Sequence, residues 1–507
     1  MKSTKKKTPA LFCVILSLLM LSTYACADKG GNNSTGSTDK PGSSGVTSGT
    51  QTDDPIAALD PGLEDQNFNG REIIFLTRDR GTGYNEFGIT EDSPNNVESA
   101  VYWRNFRINE KFGCRIGTII KAQNEVIKYA QTQIGSGELD FDTITEGFVY
   151  QVSLAANDFL LDISSIPVID ITKEYWHQSL QNDTSVAGHN FYLVSYANMW
   201  SMNAASVVFF NTELVKELKL EKSPYELVAS NEWTFETMDR MNRQAYSDLD
   251  ADGKASVADR FGSVSTYAAC ETMFVGMGGR LTTKNKDTDI PELSLFSDKT
   301  YDIYTKIIDF WSEDGSLLIN RYSDYVSQRK NGNLLSDTMV DGRALFCQEH
   351  LYQLDGFTDS QYVIGMVPVP KYDENQENYR TYVHKYHGSS TSVPKTISEE
   401  NLGQIGYVLE EMAYLSYVDV RPAFYDVNLK NRKSQDEESK KMLDIIFENI
   451  SFDIGCTVSG LDSAPDILRD LTFSGASDKV VSSLAGKQES YQTALNDIIA
   501  KYQGMKS

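Results

Sequence analysis

Along this chain the spacing of hydrophobic residues switches repeatedly between strand-like runs and a helical period, and the switches mark out its elements. REIIFLT, starting at Arg71, is a short apolar run with strand composition, and Val97, Val101, Ile108 and Phe112 then recur at helical spacing. CRIGTIIKA predicts a second strand, Val126, Ile127, Ala130 and Ile134 a second helix, and FDTITEG a third strand. Strand, helix, strand, helix, strand is the alternation of an open, largely parallel sheet. Ligands of such sheets sit beyond the carboxyl ends of the strands. That rule nominates Arg78, Asp79, Tyr84 and Glu86 in the loop after Leu76, and Glu146 in the loop after Ile144.

The organising stretch is Ala187 to Leu214, AGHNFYLVSYANMWSMNAASVVFFNTEL. Two apolar runs, Phe191 to Val194 and Val207 to Phe210, flank a polar, aromatic insert, and Asn211 and Thr212 are cap signals for the helix ELVKELKL. The pattern predicts strand, site loop, strand, helix. It also predicts two lobes, with Asn198, Trp200 and Asn203 displayed where they meet. Further on, Thr234 is placed to cap a helix. Tyr301, Tyr304, Ile307, Ile308 and Trp311 carry helical spacing. Ser398 precedes Leu402, Ile405, Leu409 and Met412, and a last helix places Tyr491, Leu495, Ile498 and Tyr502 on one face.

The chain has 507 residues, 40% of them hydrophobic, which is ample for buried cores in more than one domain. Its formal net charge of −24 argues against a nucleic-acid partner and against adhesion to anionic lipid, because both need a basic footprint. Lys2, Lys5, Lys6 and Lys7 precede an apolar run ending in small residues before Cys26, the layout of a secretory signal over residues 1–25. LSTYAC resembles a bacterial lipoprotein box, with Thr23 where a larger aliphatic residue is usual. The resemblance implies a lipid on Cys26, and residues 26–67, rich in Gly, Ser and Thr at first, read as a flexible tether. Cys114, Cys270, Cys347 and Cys456 remain for the body, and their spacing fits two disulfides or isolated core thiols equally well.

From Asp248 the spacing Asp248, Asp250, Asp252, Gly253 and Asp259 follows the logic of a calcium loop, with Lys254 offering its backbone carbonyl. A structural calcium ion is expected there, and no organic cofactor. There is no HExxH spacing, and GxSxG is only partly matched, in the tether.

Several segments in order, NNVESAVYWRNFRINEKFG, FLLDISSIP, VVFFNTELVKELKL, PYELVASNEWTFETM, DGRALF and IGMVPVPKYDENQENYRTYVHKYHGSSTSVPKT, resemble bacterial extracellular solute-binding proteins of family 1. These are the lipoprotein receptors of carbohydrate-type ABC importers. The resemblance implies an α/β, two-lobed type 2 periplasmic-binding-protein fold with the ligand cleft between the lobes. It places lobe 1 at 68–198 plus about 388–430 and lobe 2 at 199–387 plus about 431–507. It implies a monomer held on the outer face of the cell membrane, without enzyme activity, delivering a sugar to an ABC transporter permease. A sugar site needs aromatic faces and planar polar groups, which makes Trp200, Tyr267, Tyr386, Asn198, Glu86, Glu146 and His384 ligand candidates beside Arg78 and Asp79. A sensing lipoprotein of the same fold is the alternative within the binding class, and a secreted glycosidase the alternative outside it.

Overall fold

The computed structural model describes residues 57–81, 85–253, 255–256, 258–319, 334–430 and 437–505. The expected signal, Cys26 and most of the tether lie outside the described residues, as do Tyr84 and Lys254. The segment just before Phe68, expected as tether, already lies on the body. Leu59 and Leu63 pack against a hydrophobic core and Gln66 N–H donates to Lys111 O at 3.1 Å. Two leucines suffice to seat a polar segment when they fall on an apolar surface.

The N-terminal alternation folds as its pattern predicts. Strand β1 (Glu72–Arg78) pairs in parallel with β2 (Arg115–Lys121) on one side and with β3 (Thr143–Glu146) on the other. Helices α1 (Asn96–Phe112) and α2 (Gln123–Ser136) supply the crossovers, and α3 (Phe148–Ala156) follows β3. Asn95 starts α1 by accepting the Val97 and Glu98 N–H groups. Gly113, at φ 56°, ends it in the left-handed conformation that a glycine adopts freely. A late strand, Ser390–Ser392, adds to β3 in antiparallel sense and completes a four-stranded sheet. Alternate residues of β1 serve its two faces. Ile73 and Phe75 pack with Ile108, Phe112, Ile405 and Leu409, while Leu76 joins Val126, Ala130, Ile144 and Phe148. Burying each such side chain contributes roughly 1.5–3 kcal/mol.

The second sheet has five strands. They are β4 (Ser206–Asn211), β5 (Phe261–Ser265), β6 (Ser316–Leu318), β7 (Ala344–His350) and β8 (Ile364–Val367), in the order β8-β4-β7-β5-β6. The pairs β5–β6 and β5–β7 are parallel, and β4 runs antiparallel to both its neighbours. Every residue of β4 and β7 is buried, the mark of strands covered on both faces. Thr234 caps the helix Phe235–Ala245, and Ser398 caps Glu399–Leu415. Tyr491, Leu495, Ile498 and Tyr502 are all buried on the helix Gln488–Gln503. Two sheets flanked by helices and joined by crossing segments make this the two-lobed type 2 periplasmic-binding-protein fold.

The crossing differs from its sequence reading in one respect. Phe191 to Val194 is no strand: Leu193 makes one bridge to Thr391, and Phe191 packs edge-on against Tyr502. Leu193 meets the strand Ser390–Ser392 at its middle residue, exchanging both backbone hydrogen bonds with Thr391, and the pairing stays a single bridge because its neighbours do not continue it. The insert itself contains a short helix, Met199–Asn203. Cys114, Cys270, Cys347 and Cys456 are buried thiols that form no disulfide with one another. Burial pushes the Cys114 thiol up to about 11.

Candidate functional site

The carboxyl ends of strands from both sheets converge on one cleft. β1 delivers Arg78, Asp79 and Arg80, and the turn after β2 delivers Gln123. β5 leads to Tyr267 and β7 to Tyr352. One cavity of about 450 Å³ is lined by Gln123, Tyr267, Glu271, His384, Tyr386 and His387, with Asp462 to Arg469 closing its far side. A second, of about 250 Å³, is lined by Arg78, Asp79, Arg80, Trp200, Tyr352, and again Gln123 and His387. Those two shared residues make the cavities neighbours along one cleft.

Two chain crossings form its floor. Outbound, the chain passes through Met199–Asn203 into β4; inbound, Val383 bridges to Ala205 and the chain turns through His384 to Gly388. Ser389 N–H donates to Ser201 Oγ at 2.9 Å, and Ser201 Oγ donates back to Ser389 O at 2.5 Å. Glu86 ties both crossings to the first sheet's loops, its Oε1 accepting from Trp200 N–H at 3.0 Å and Ser389 Oγ at 2.6 Å. Asn198 Nδ2 donates to Thr391 Oγ1 at 3.0 Å, and its Oδ1 accepts the Ser195 N–H at 3.1 Å. Gly147 permits the close approach of the inbound crossing, since a Cβ there would lie 2.7 Å from Tyr386 O.

The sequence candidates therefore divide. Arg78, Asp79 and Trp200 line the smaller cavity, and Tyr267, His384 and Tyr386 line the larger. Glu86, Glu146 and Asn198 line neither. They are buried beside the crossings, where their polar atoms bind the chain itself. The period and loop signals that nominated them place a residue near the strand ends but say nothing about which way its side chain turns. Glu146 Oε1 accepts Gly147 N–H at 2.8 Å and lies 3.3 Å from Arg78 Nη1. Burial raises its pKa, and Arg78 pulls it partly back. Arg78 Nη2 donates to Tyr386 O at 2.6 Å, which fixes the inbound turn to the end of β1.

Arg80, Gln123, Tyr352 and His387 went unread in the sequence. Gln123 follows β2, so the strand-end rule that nominated the loops after β1 and β3 applies to it equally. Asp462, Asp466 and Arg469 enter from the C-terminal region, and no local pattern signals them. The aromatic faces are held in place by neighbours. Tyr352 stacks on His350, with ring centroids 5.5 Å apart and planes 7° from parallel, and Arg80 lies over Trp200 at 5.0 Å. Tyr382 Oη donates to Glu271 Oε2 at 2.7 Å, and Lys385 Nζ lies 3.5 Å from Glu271 Oε1. Aromatic rings beside amide, carboxylate and guanidinium groups equip the cleft to stack on the apolar face of a ring and bond its hydroxyls.

At the acidic loop, carboxylate oxygens of Asp248, Asp250 and Asp252 all lie within 4.8 Å of one another, a spacing that one cation can bridge. Asp259 stands apart. It is buried and its two oxygens accept the Leu249 and Ser256 N–H groups at 3.0 and 2.7 Å. It braces the loop, and the expected twelfth-position ligand is engaged by backbone.

No protein-family model and no curated protein matches the chain. Solved structures do match along most of its length. The sugar-binding protein MalE from Xanthomonas citri has a TM-score of 0.56 at 12% identity, over 85% of this chain and 98% of that one. A cyclo/maltodextrin-binding protein complexed with maltotetraose has a TM-score of 0.53 at 10% identity, over 86% and 99%. The cyclic alpha-maltosyl-1,6-maltose binding protein from Arthrobacter globiformis has a TM-score of 0.52 at 12% identity, over 86% and 100%. At such identities the likeness establishes the two-lobed fold.

Proposed function

We propose that this protein is an extracytoplasmic solute-binding lipoprotein that captures an oligosaccharide in the cleft by hinge closure and delivers it to an ABC importer permease. The observation that carries the reading is the cleft itself, with strand ends of both sheets, four aromatic rings and planar polar groups gathered over two paired crossings. A ligand held from both sides favours the closed state by its differential affinity, which is what hinge closure requires. The solved proteins of this fold named above are sugar binders, which supports a sugar as the solute. Lobe 1 takes 68–198, with the packed segment before Phe68 laid on it, plus about 388–430, lobe 2 takes 199–387 plus about 431–507, and the chain works as a monomer. Lipidation at Cys26 holds it at the membrane. Among the described residues no helix is long and apolar enough to cross a membrane.

A thermal-shift screen of the purified chain against mono- and oligosaccharides, with peptides and polyamines as controls, tests the function. One glycan class stabilises saturably and without product formation. At a hundredfold excess over Kd the gain is about 2.7 kcal/mol. Stabilisation by peptides or polyamines alone would discard the sugar, and turnover of a glycan would replace binding by catalysis.

The same reading places a structural calcium ion on Asp248, Asp250 and Asp252. Calcium then raises the melting temperature by a few degrees and magnesium does so less, because the wider loop suits the larger ion. Asp250→Asn abolishes the calcium shift. A melting temperature equal in calcium and in chelator would remove the ion.

A further inference from the structure

Two arginines of the smaller cavity leave buried N–H groups without hydrogen bonds, and Arg80 leaves more of them than Arg78. Arg80 Nη1 donates to His387 O at 2.7 Å and its guanidinium lies 5.0 Å from the centre of the Trp200 ring. Nε and Nη2 are shut off from solvent and have no partner. These two atoms share the side-on edge of a guanidinium, where two N–H bonds run parallel at the spacing of the oxygens of a carboxylate. Arg80 thus has one terminus anchored, one face stacked and its bidentate edge left open.

Of the acids nearby, Glu86 and Asp79 are engaged elsewhere, and Glu146 faces Arg78 and keeps its Oε2 buried without a hydrogen bond. Glu86 Oε1 serves Trp200 N–H and Ser389 Oγ, and Glu146 Oε1 serves Gly147 N–H and faces Arg78. Asp79 Oδ1 accepts the Gly81 N–H at 2.8 Å. Arg78 Nη1 is likewise buried without a hydrogen bond, but it lies 3.3 Å from the Glu146 carboxylate, which pairs that guanidinium and leaves Arg80 as the one of the two without a salt bridge. Burial pushes the Arg80 pKa down to about 10, the direction expected of a charge whose lost hydration has not been replaced. Buried N–H groups without partners are destabilising and rare in folded proteins, and at the wall of a cavity they ask for a ligand.

We propose that the smaller cavity is an oxyanion subsite, in which the Nε and Nη2 edge of Arg80 receives a carboxylate or sulfate carried by the captured glycan. The solute is then an acidic oligosaccharide. Its charged residue lies against Arg80 and Trp200, and its remaining rings run past Gln123 and His387 into the larger cavity. Opening of the lobes brings the shielded edge to the cavity that the side chain already lines. This inference rests on the reading of the cleft as a glycan site.

Calorimetric titration of the full-length chain with matched pairs of oligosaccharides tests it. The pairs are digalacturonate and its neutral digalactose counterpart, glucuronoxylo- and xylo-oligosaccharides, and sulfated and desulfated galacto-oligosaccharides. In at least one pair the acidic member binds about tenfold tighter or more, a preference that weakens as salt is raised. The uronate and sulfate arms identify the oxyanion. Arg80→Gln brings that pair to equal affinity and Arg80→Lys restores only part of the preference, because an ammonium lacks the fork. Neutral members binding as tightly as acidic ones would overturn the oxyanion subsite and leave the glycan reading standing, and so would a preference untouched by Arg80→Gln. Binding of no glycan of either charge would overturn both. If Arg80→Gln fails to fold, the matched pairs on the unaltered protein decide alone.

Discussion

Acidification from about pH 7 to about pH 5.5 destabilises the folded protein, and three half-buried histidines carry much of the loss. Burial pushes the His384 pKa down to about 2, with His350, His387, Lys385 and Arg78 adding to the push. Burial, then Arg78, brings His387 down to about 4, and burial with Arg421 brings His177 down to about 4. In the unfolded chain all three take a proton near pH 6.5. A folded pKa below the unfolded one means that folding favours the neutral ring. The stability is therefore fully present above about pH 6.5 and is lost as the pH falls from there towards the folded values. Each ring contributes on the order of 1 kcal/mol of loss by pH 5.5.

Buried carboxylates act the other way. Burial raises Glu146 and Glu410, so the folded state takes their protons first and gains stability in acid. His384→Gln isolates the imidazole from that background. Urea midpoints of the protein and of the variant, compared at the two pH values, show a shallower fall for the variant. Equal falls would remove His384 as a cause. In the folded protein both His384 and His387 stay neutral over this interval, so the loss appears in stability while the affinity of the folded protein for its ligand is unchanged by these two rings.

Trp200→Ala costs the largest share of ligand binding. The backbone of Trp200 is held by Glu86, its ring lies beneath Arg80, and the Tyr352 ring stands 6.5 Å away at 48°. The ring is thus set in place before a ligand arrives, and little ordering cost is left to subtract from the contact. Removing a fixed aromatic face at the centre of a site weakens binding by about 2–3 kcal/mol, roughly 30- to 150-fold. Trp200→Phe keeps most of the face and loses less. The indole lies at the cavity wall, half-buried, so the melting temperature without ligand changes little. Affinity for the glycan identified by the screen, unchanged in Trp200→Ala, would take the ring out of the site.

Much of the scaffold was legible along the chain. The apolar run of β1, the helical spacing of α1 and α2, and the caps at Asn211, Thr234 and Ser398 all act over a few residues, and the structure places an element at each. The strand-end rule found Arg78 and Asp79, because the end of a parallel strand is itself a local feature. The same rule applied after β2 would have found Gln123. The polar insert of the central crossing gave Trp200, since a conspicuous ring between two apolar runs has few other places to go.

Other features depended on distant residues. Phe191 to Val194 has strand composition, yet its surroundings are Thr391 and Tyr502, far along the chain, and they leave it as a buried crossing segment. Glu86 and Asn198 look like loop groups ready for a ligand, and their partners Ser389 and Thr391 turn them inward. Arg80 is one more charge in a polar loop until His387, Trp200 and the cavity wall surround it. The sequence by itself determined the strands and helices of the N-terminal alternation, the capped helix starts, and which strand ends lie near one another's loops. These follow from backbone propensity, capping and period, which neighbours in sequence decide. Only the tertiary structure decided which side chains face the cleft and which are spent on the chain crossings. Burial, hydrogen bonding and pKa depend on groups brought together from opposite ends of the chain.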